Sequence, residues 1–335
     1  MKRSKYLRSA IILTIGIAGF IISYLFFFRP VNPLGNKVFI FEECLAQEGC
    51  GILNLRLSES LKPFKIGQRE IQALKEAYSD KIKKVRIRDG EWALYMDGIW
   101  FYWLGGRLLP ETLIQDKKDY SPYKFYRYTL KLPQVPLVSD EQIMKIRKKQ
   151  LKKPVNTAFF DVLYTGFSYR EIRRSIKTIS FMGYRIDAHK KIVPILKDIE
   201  KAIREVQKKD DYITGFLRSL RSIDCFSWRG VESSMTRSFH SYGIAVDFIP
   251  PLYVGKEVYW AWTRYHNSSW YDVPYEERWM IPGKIVDIFE KYGFVWGGKW
   301  LFYDNMHFEY RPELLILAGQ DIKSHNEITV KAEND

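Results

Sequence analysis

Two short segments near the C-terminus carry residue types that could bind a metal ion and activate water beside it. The first segment contributes His240 and Asp247, and the second contributes Asp304 and His307. Two imidazoles and a carboxylate, with water in the fourth position, form a ligand set of the kind used by catalytic zinc, which lowers the pKa of the bound water to about 7. A second carboxylate near that water could accept its proton. These residue types therefore predict a zinc hydrolase site.

The first segment has the alternation of a strand that exposes a metal ligand. If residues 243–248 form a strand, Gly243, Ala245 and Asp247 share one face, and the bulkier residues between them share the other. Two small residues on the ligand face leave room for a metal and a substrate. A turn after His240 would fold its imidazole back toward Asp247.

The second segment follows the same logic. His307 and Glu309 alternate with Phe308 on a predicted strand, and Asp304 lies three residues before His307. This arrangement predicts that His307 binds the metal and that Asp304 holds the water. A helix is predicted upstream, over residues 282–292, because proline suits the first turn of a helix.

These two segments resemble a known family. The residues that carry the resemblance are Ser238, His240, Gly243, Ala245, Asp247, Asp304 and His307. Their pattern is similar to the signature of the D-alanyl-D-alanine carboxypeptidase group of zinc peptidases, which includes the VanY-like and L-alanyl-D-glutamate endopeptidase enzymes. The similarity extends to Trp228 and Arg229 and through the run 293–313.

The resemblance implies a fold, a cofactor and individual residue roles. His240, Asp247 and His307 would bind Zn²⁺. Asp304 would act as general base and acid, and Arg229 would be the cationic group that faces the substrate. The fold would be α+β, hedgehog or D-Ala-D-Ala peptidase-like, with flanking helices around a small antiparallel sheet that carries the zinc site. The substrate would be a peptidoglycan stem peptide, and whether the cleavage is of the carboxypeptidase or the endopeptidase type stays open.

Two neighbouring residues have chemical roles that can be argued without the family. The guanidinium of Arg229 could donate two parallel hydrogen bonds to an oxyanion or to a terminal carboxylate, although an ordinary surface arginine is the alternative. Ser238 could orient the substrate or cap a turn. Arg237, beside it, is interpreted as a solvated side chain.

The N-terminus predicts where this chemistry takes place. Residues 10–28 form an uncharged, mostly apolar run, which at 1.5 Å per residue is long enough to cross a hydrocarbon core of about 30 Å. Basic residues precede the run, namely Lys2, Arg3, Lys5 and Arg8. The positive-inside rule therefore predicts a cytoplasmic N-terminus, a single-pass anchor in the cell membrane and an exported catalytic domain, periplasmic or extracellular. A cleavable signal peptide is the alternative.

The hydrophobic content and the net charge indicate the class of protein and its partners. Of 335 residues, 46% are hydrophobic and 16% aromatic, which excludes a disordered chain. Lysine and arginine exceed aspartate and glutamate by 53 to 39, which suggests an anionic partner such as lipid headgroups or wall polymer, with an ordinary solvated surface as the alternative. Export argues against nucleic acid. Cys44 and Cys50 could form a disulfide, which would leave Cys225 single. Nothing predicts the oligomeric state.

The chain is predicted to have four parts. They are a cytoplasmic tip with a transmembrane anchor (1–29), a small mixed module (30–135), a zinc peptidase domain (136–325) and a polar tail (326–335). In the module, a helix at 66–77 precedes a β-meander at 85–109, whose aromatic side chains could form a glycan-stacking platform or simply pack a sheet. Apolar residues at helical spacing predict another helix at 188–206.

Together these features predict a membrane-anchored zinc peptidase that acts on peptidoglycan stem peptides. The alternative is a non-catalytic cell-wall-binding protein whose metal site is structural. Asp304 favours the enzyme, because a purely structural site needs no residue for proton transfer.

Overall fold

The computed structural model describes residues 67–122, 128–134, 139, 141, 144, 153–231, 236–252 and 255–323. The predicted anchor at 10–28, the cysteine pair Cys44 and Cys50, and the polar tail at 326–335 lie outside the described residues and stay predictions. Within the described ranges, no helix combines the length and the apolar character needed to span a bilayer.

Short helices alternate with small sheets along the described chain. The helices are α1 (Gln68–Ala77), α2 (Ala158–Leu163), α3 (Tyr169–Arg173), α4 (Val193–Gln207), α5 (Asp211–Ser219), α6 (Trp260–Thr263), α7 (Gly283–Lys291) and α8 (Pro312–Leu317). The strands are β1 (Lys84–Arg88), β2 (Glu91–Met96), β3 (Ile99–Trp103), β4 (Leu108–Pro110), β5 (Ile176–Phe181), β6 (Tyr184–His189), β7 (Ser222–Asp224), β8 (Gly230–Val231), β9 (Thr236–Arg237), β10 (Ala245–Ile249), β11 (Phe294–Trp296) and β12 (His307–Tyr310). The expected mixture of helices and small antiparallel sheets is confirmed.

The β-meander forms in the order β1-β2-β3-β4, next to α1. Its first two turns place Asp89 and Gly90, and then Asp97 and Gly98, at positive φ, a combination that matches the twist of two-residue hairpins. Trp92, Phe101, Tyr102 and Trp103 are buried, and Tyr95 and Trp100 are half-buried. These aromatic side chains therefore pack the sheet, which is the second of the two predicted alternatives.

A continuous apolar core extends from the meander into the C-terminal half. Phe101 of β3 meets Phe159 of α2 edge to face, with ring centroids 5.6 Å apart. The same cluster includes Leu74 of α1, Ile199 of α4 and Phe289 of α7. The predicted boundary between residues 135 and 136 stays a prediction.

The helix predicted at 188–206 begins later than expected. Ala188 and His189 belong to β6, where they pair with Lys177 and Ile176 of β5. The helix α4 then starts at Val193 with Pro194 in its first turn, as proline geometry requires. Helical periodicity alone did not reveal the end of the hairpin, because alanine and histidine fit either conformation.

A four-stranded antiparallel sheet carries the candidate site. Its order is β11-β12-β10-β7, so β10 and β12 are the two central strands. The predicted helix at 282–292 is α7, which ends before Gly293 at a φ of 91°. Phe289 of α7 stacks on Phe308 of β12, with centroids 4.1 Å apart, so the helix covers one face of the sheet.

Candidate metal centre

The register of the central strands brings one predicted ligand from each strand together. Asp247 of β10 lies directly opposite His307 of β12. The strand β10 begins at Ala245, two residues later than predicted. Gly243 instead ends a 3₁₀ helix with a φ of 66°, a conformation that glycine adopts without strain. A Cβ atom there would lie 2.9 Å from the backbone nitrogen of His189, so the close approach also requires glycine.

The 3₁₀ helix Phe239–Tyr242 turns the third ligand toward the strands. Ser238 caps its N-terminus, because the Oγ atom accepts a hydrogen bond from the His240 N–H at 3.3 Å. The backbone N–H of Gly243 donates to the carbonyl of His240 and closes the turn. The predicted turn after His240 is therefore this capped helix.

The three predicted ligands converge on one point. His240 Nε2 lies 3.1 Å from one Asp247 oxygen, and His307 Nδ1 lies 2.7 Å from the other. The two imidazole nitrogens are 3.2 Å apart. Tetrahedral zinc with bonds of 2.0–2.1 Å separates its ligand atoms by about 3.3 Å. The spacing of these atoms therefore fits a zinc ion with only small adjustments.

The outer nitrogen of each imidazole already has a partner. His240 Nδ1 bonds to the carbonyl of Cys225, and His307 Nε2 bonds to Glu309 Oε1 at 3.1 Å. Such outer partners set the tautomer and the ring orientation of metal-binding histidines. They leave His240 Nε2 and His307 Nδ1 facing each other and Asp247, which is the orientation that ligation needs.

The electrostatics of the cluster favour a positive charge at this point. Burial raises the pKa of the Asp247 carboxyl, but the two imidazoles beside it outweigh that effect and hold the pKa below its usual range. Burial lowers the pKa of His307, yet Asp247 and Glu309 raise it well above its ordinary value. The cluster therefore stabilises a proton where a metal cation would compete for the same lone pairs. These three ligand atoms therefore fit the zinc ion that the resemblance implies.

Asp304 differs from the three ligands because one oxygen of its half-buried side chain is enclosed but unpaired. Its Oδ1 atom makes no hydrogen bond to any other described residue. Burial raises the pKa of Asp304 to about 7, although the imidazole of His307 acts in the opposite direction. A buried polar atom without a partner calls for an explanation, such as a bound water molecule, an ion or a catalytic role. The position suits a proton acceptor beside a metal site.

Arg229 and Ser238 lie close to this cluster. Arg229 is exposed and lies between β7 and β8, and its backbone N–H donates to Oγ of Ser241 in the 3₁₀ helix at 2.9 Å. Its charge also acts on the phenol of Tyr259, as does the charge of Asp304. Ser238 is buried and performs the capping role described above. Substrate contact by either residue stays a prediction.

The interpretation of Arg237 as a solvated side chain is wrong. Its guanidinium pairs with Asp161 at 2.7 Å, and the same Asp161 oxygen accepts from the Tyr242 hydroxyl at 2.7 Å. The ring of Trp228 lies under the guanidinium, 4.6 Å away. Arg237 therefore holds the 3₁₀ helix of His240 against α2. Asp161 lies 76 residues earlier, so no local pattern could reveal the pair.

Comparison with known proteins finds a similarity for the segment that contains this cluster. Residues 232–310 match the family model described as D-alanyl-D-alanine carboxypeptidase. The site segment is similar to these peptidases. The match includes His240, Asp247, Asp304 and His307, and it supports a hydrolase of the peptidase class. Residues 70–125, which include the meander, match a domain family of unknown function. No curated protein and no solved structure matches the chain.

Proposed function

We propose that the protein is a membrane-anchored, exported zinc peptidase that cleaves peptidoglycan stem peptides. The observation that carries this proposal is the convergence of His240, Asp247 and His307 beside the unpaired Oδ1 atom of Asp304. The family match over residues 232–310 supports the peptidase class.

The residues of the chain divide the chemistry between them. A bound zinc ion would supply positive charge for polarising a peptide carbonyl and for lowering the pKa of a water molecule. Asp304 takes the proton of the attacking water and returns it to the leaving amine, as a general base and then a general acid. Arg229 binds negative charge on the substrate through its guanidinium. Ser238 keeps the turn that directs the imidazole of His240.

The unpaired Asp304 oxygen favours the enzyme over the alternative, a wall-binding protein with a structural metal. A structural zinc site is closed by four protein ligands, whereas the described cluster offers three and places a carboxylate beside them. Binding to purified cell wall with no cleavage by the zinc-loaded protein would favour the alternative.

The bond that is cleaved can be identified from the masses of the products. The full-length protein, purified in detergent and loaded with zinc, would be incubated with purified muropeptides and examined by mass spectrometry. Loss of a terminal alanine identifies a D-alanyl-D-alanine carboxypeptidase, and separation of L-alanine from the D-glutamyl part of the stem identifies an endopeptidase. If neither product forms although zinc is bound at one ion per chain, the proposed activity is wrong.

The proposed anchor at residues 10–28 places the site outside the cytoplasm, where its substrate is found. The excess of basic residues is compatible with anionic lipid and wall polymer as neighbours, and we propose no nucleic acid partner. A C-terminal epitope tag on the full chain should be accessible to protease from outside the membrane. A tag protected in intact spheroplasts and cleaved only after lysis would contradict this orientation.

A further inference from the structure

Tyr259 is paired in register with Asp304, outside the main sheet. The Asn305 N–H donates to the Val258 carbonyl at 3.1 Å, and the Trp260 N–H donates to the Tyr303 carbonyl at 2.9 Å. These two hydrogen bonds flank an antiparallel bridge between Tyr259 and Asp304. In such a non-hydrogen-bonded pair the two side chains lie on the same face, with Cβ atoms about 4.5–5.5 Å apart. Tyr259 therefore emerges beside the proposed proton acceptor.

The Tyr259 ring is held in place while its hydroxyl is left for a ligand. The ring is half-buried and makes edge-to-face contacts with Trp260 and Trp262, at centroid distances of 5.9 and 5.5 Å. Among the described residues, none forms a hydrogen bond with the Tyr259 hydroxyl. By contrast, the nearby hydroxyl of Tyr303 donates to Thr263 at 2.6 Å, and that of Tyr242 donates to Asp161.

The charges around the Tyr259 phenol keep it in its neutral, donating form. Burial raises the pKa of Tyr259, the charge of Asp304 raises it further, and Arg229 lowers it by a smaller amount. The phenol is thus subject to the fields of both the proposed base and the proposed substrate-binding arginine. A neutral O–H in this position can donate a hydrogen bond but would not compete with Asp304 for the proton of water.

We propose that Tyr259 stabilises the transition state by donating its phenolic hydrogen bond to the scissile carbonyl oxygen as that oxygen becomes negatively charged. The inference rests on the proposed peptidase function and adds a residue to it. A fixed donor directed at developing charge is worth about 10²–10³-fold in turnover when it is the main oxyanion donor. We expect a smaller effect, about 10–100-fold, because zinc would share the stabilisation.

The test compares Tyr259→Phe with a matched control, Tyr265→Phe, in the full-length zinc-loaded protein. Tyr265 is 80% exposed and lies with Tyr259 in the aromatic segment at residues 253–279. The measurements are kcat and KM on muropeptide, zinc content, and calorimetric affinity for two peptides. One peptide contains a phosphinate, a tetrahedral anion, in place of the scissile amide, and the other is the cleavage product.

The expected result separates transition-state binding from ground-state binding. In Tyr259→Phe, kcat should fall and the dissociation constant of the phosphinate peptide should rise, each by about 10–100-fold. KM, the product affinity and the zinc content should stay at the parent values, and Tyr265→Phe should match the parent throughout.

Two other outcomes would separately contradict the role of Tyr259 and the proposed peptidase function. If Tyr259→Phe binds the phosphinate peptide as tightly as the parent, or raises KM while kcat is unchanged, the role given to the phenol is wrong and the peptidase function stands. If the zinc-loaded parent neither cleaves muropeptide nor binds the phosphinate peptide, the proposed function fails, and the role of Tyr259 fails with it.

Discussion

Two groups of charged residues lie at and on either side of strand β12, and they differ in how completely their polar atoms are paired. One group leads away from the candidate metal centre: Arg311 lies 3.7 Å from Glu309 and pairs with Glu313, which also accepts from the Tyr78 hydroxyl at 2.7 Å. The other group is Asp304, whose Oδ1 has no partner among the described residues. Fully paired charges fix a structure, whereas a buried atom without a partner is available to a ligand.

A second buried ion pair is connected to Asp304 through the backbone of a neighbouring 3₁₀ helix. Glu290 and Lys299 form a buried ion pair, and Glu290 also accepts from the Tyr128 hydroxyl. Lys299 belongs to the 3₁₀ helix Gly297–Lys299, and the Gly297 carbonyl accepts from the Asp304 N–H at 3.1 Å. The backbone of Asp304 is therefore held by residues whose own charges are paired, whereas its Oδ1 atom has no partner among the described residues.

The largest expected effect is that of Asp304→Asn on turnover. Asparagine has nearly the same shape but cannot accept the proton of water, so kcat should fall by about 10²–10⁴-fold. Zinc content should be unchanged, because Asp304 is not one of the three converging ligands. The free energy of unfolding should be equal or higher, since the substitution removes the charge of a half-buried carboxylate that has one unpaired oxygen. Muropeptide kinetics, metal analysis and urea unfolding would measure the three quantities. Turnover within a few-fold of the parent would mean that Asp304 is not the base.

In contrast to Asp304→Asn, the substitution Glu313→Gln in the paired group should lower the free energy of unfolding. This substitution leaves the buried guanidinium of Arg311 without its principal negative partner, and breaking a buried pair in this way costs about 3 kcal/mol of unfolding free energy. Urea unfolding of the variant and the parent would measure the loss. Because Glu313 lies outside the metal centre, the folded fraction should still bind zinc.

An exposed ion pair provides the matched control for Glu313→Gln. Glu205 and Lys208 lie 2.7 Å apart on the surface of α4 and its C-terminal end. Glu205→Gln removes the same charge from a solvated pair, which contributes little to stability, so its unfolding curve should overlay that of the parent. Equal curves for Glu313→Gln and Glu205→Gln would show that the buried pair does not stabilise the fold.

These contrasts also indicate what could be predicted from the sequence. The turns of the meander were predictable because Asp-Gly pairs specify a local backbone conformation. The capped turn and the strand of the first motif were likewise local, apart from the two-residue error caused by Gly243. The pairing of Tyr78 with Glu313 was not predictable, because 235 residues separate them and each residue alone is unremarkable.

Tyr259 and Arg237 illustrate two further limits. Tyr259 lies in an aromatic segment in which no periodicity distinguishes one tyrosine from another, and only the pairing with Asp304 selects it. Arg237 resembles a surface residue until the distant Asp161 is placed beside it. In contrast, Glu309 lies two residues after His307 on the same strand, so the spacing already placed both side chains on one face.

Glu309 lies between the paired group and the metal centre, because it contacts both Arg311 and His307, and its substitution should have the smallest effect. Glu309→Gln keeps an acceptor for His307 Nε2 but removes the charge that makes the imidazole a stronger ligand. Loss of such outer partners weakens metal binding by about 10–100-fold, and we expect the lower end of this range because one hydrogen bond can persist. Competition with a chelator would measure the zinc affinity. The matched control is Glu257→Gln, because Glu257 also pairs with a histidine, His266 at 2.9 Å, outside the three ligands. Equal zinc affinity in both variants would mean that Glu309 acts only in the paired group and does not tune the metal centre.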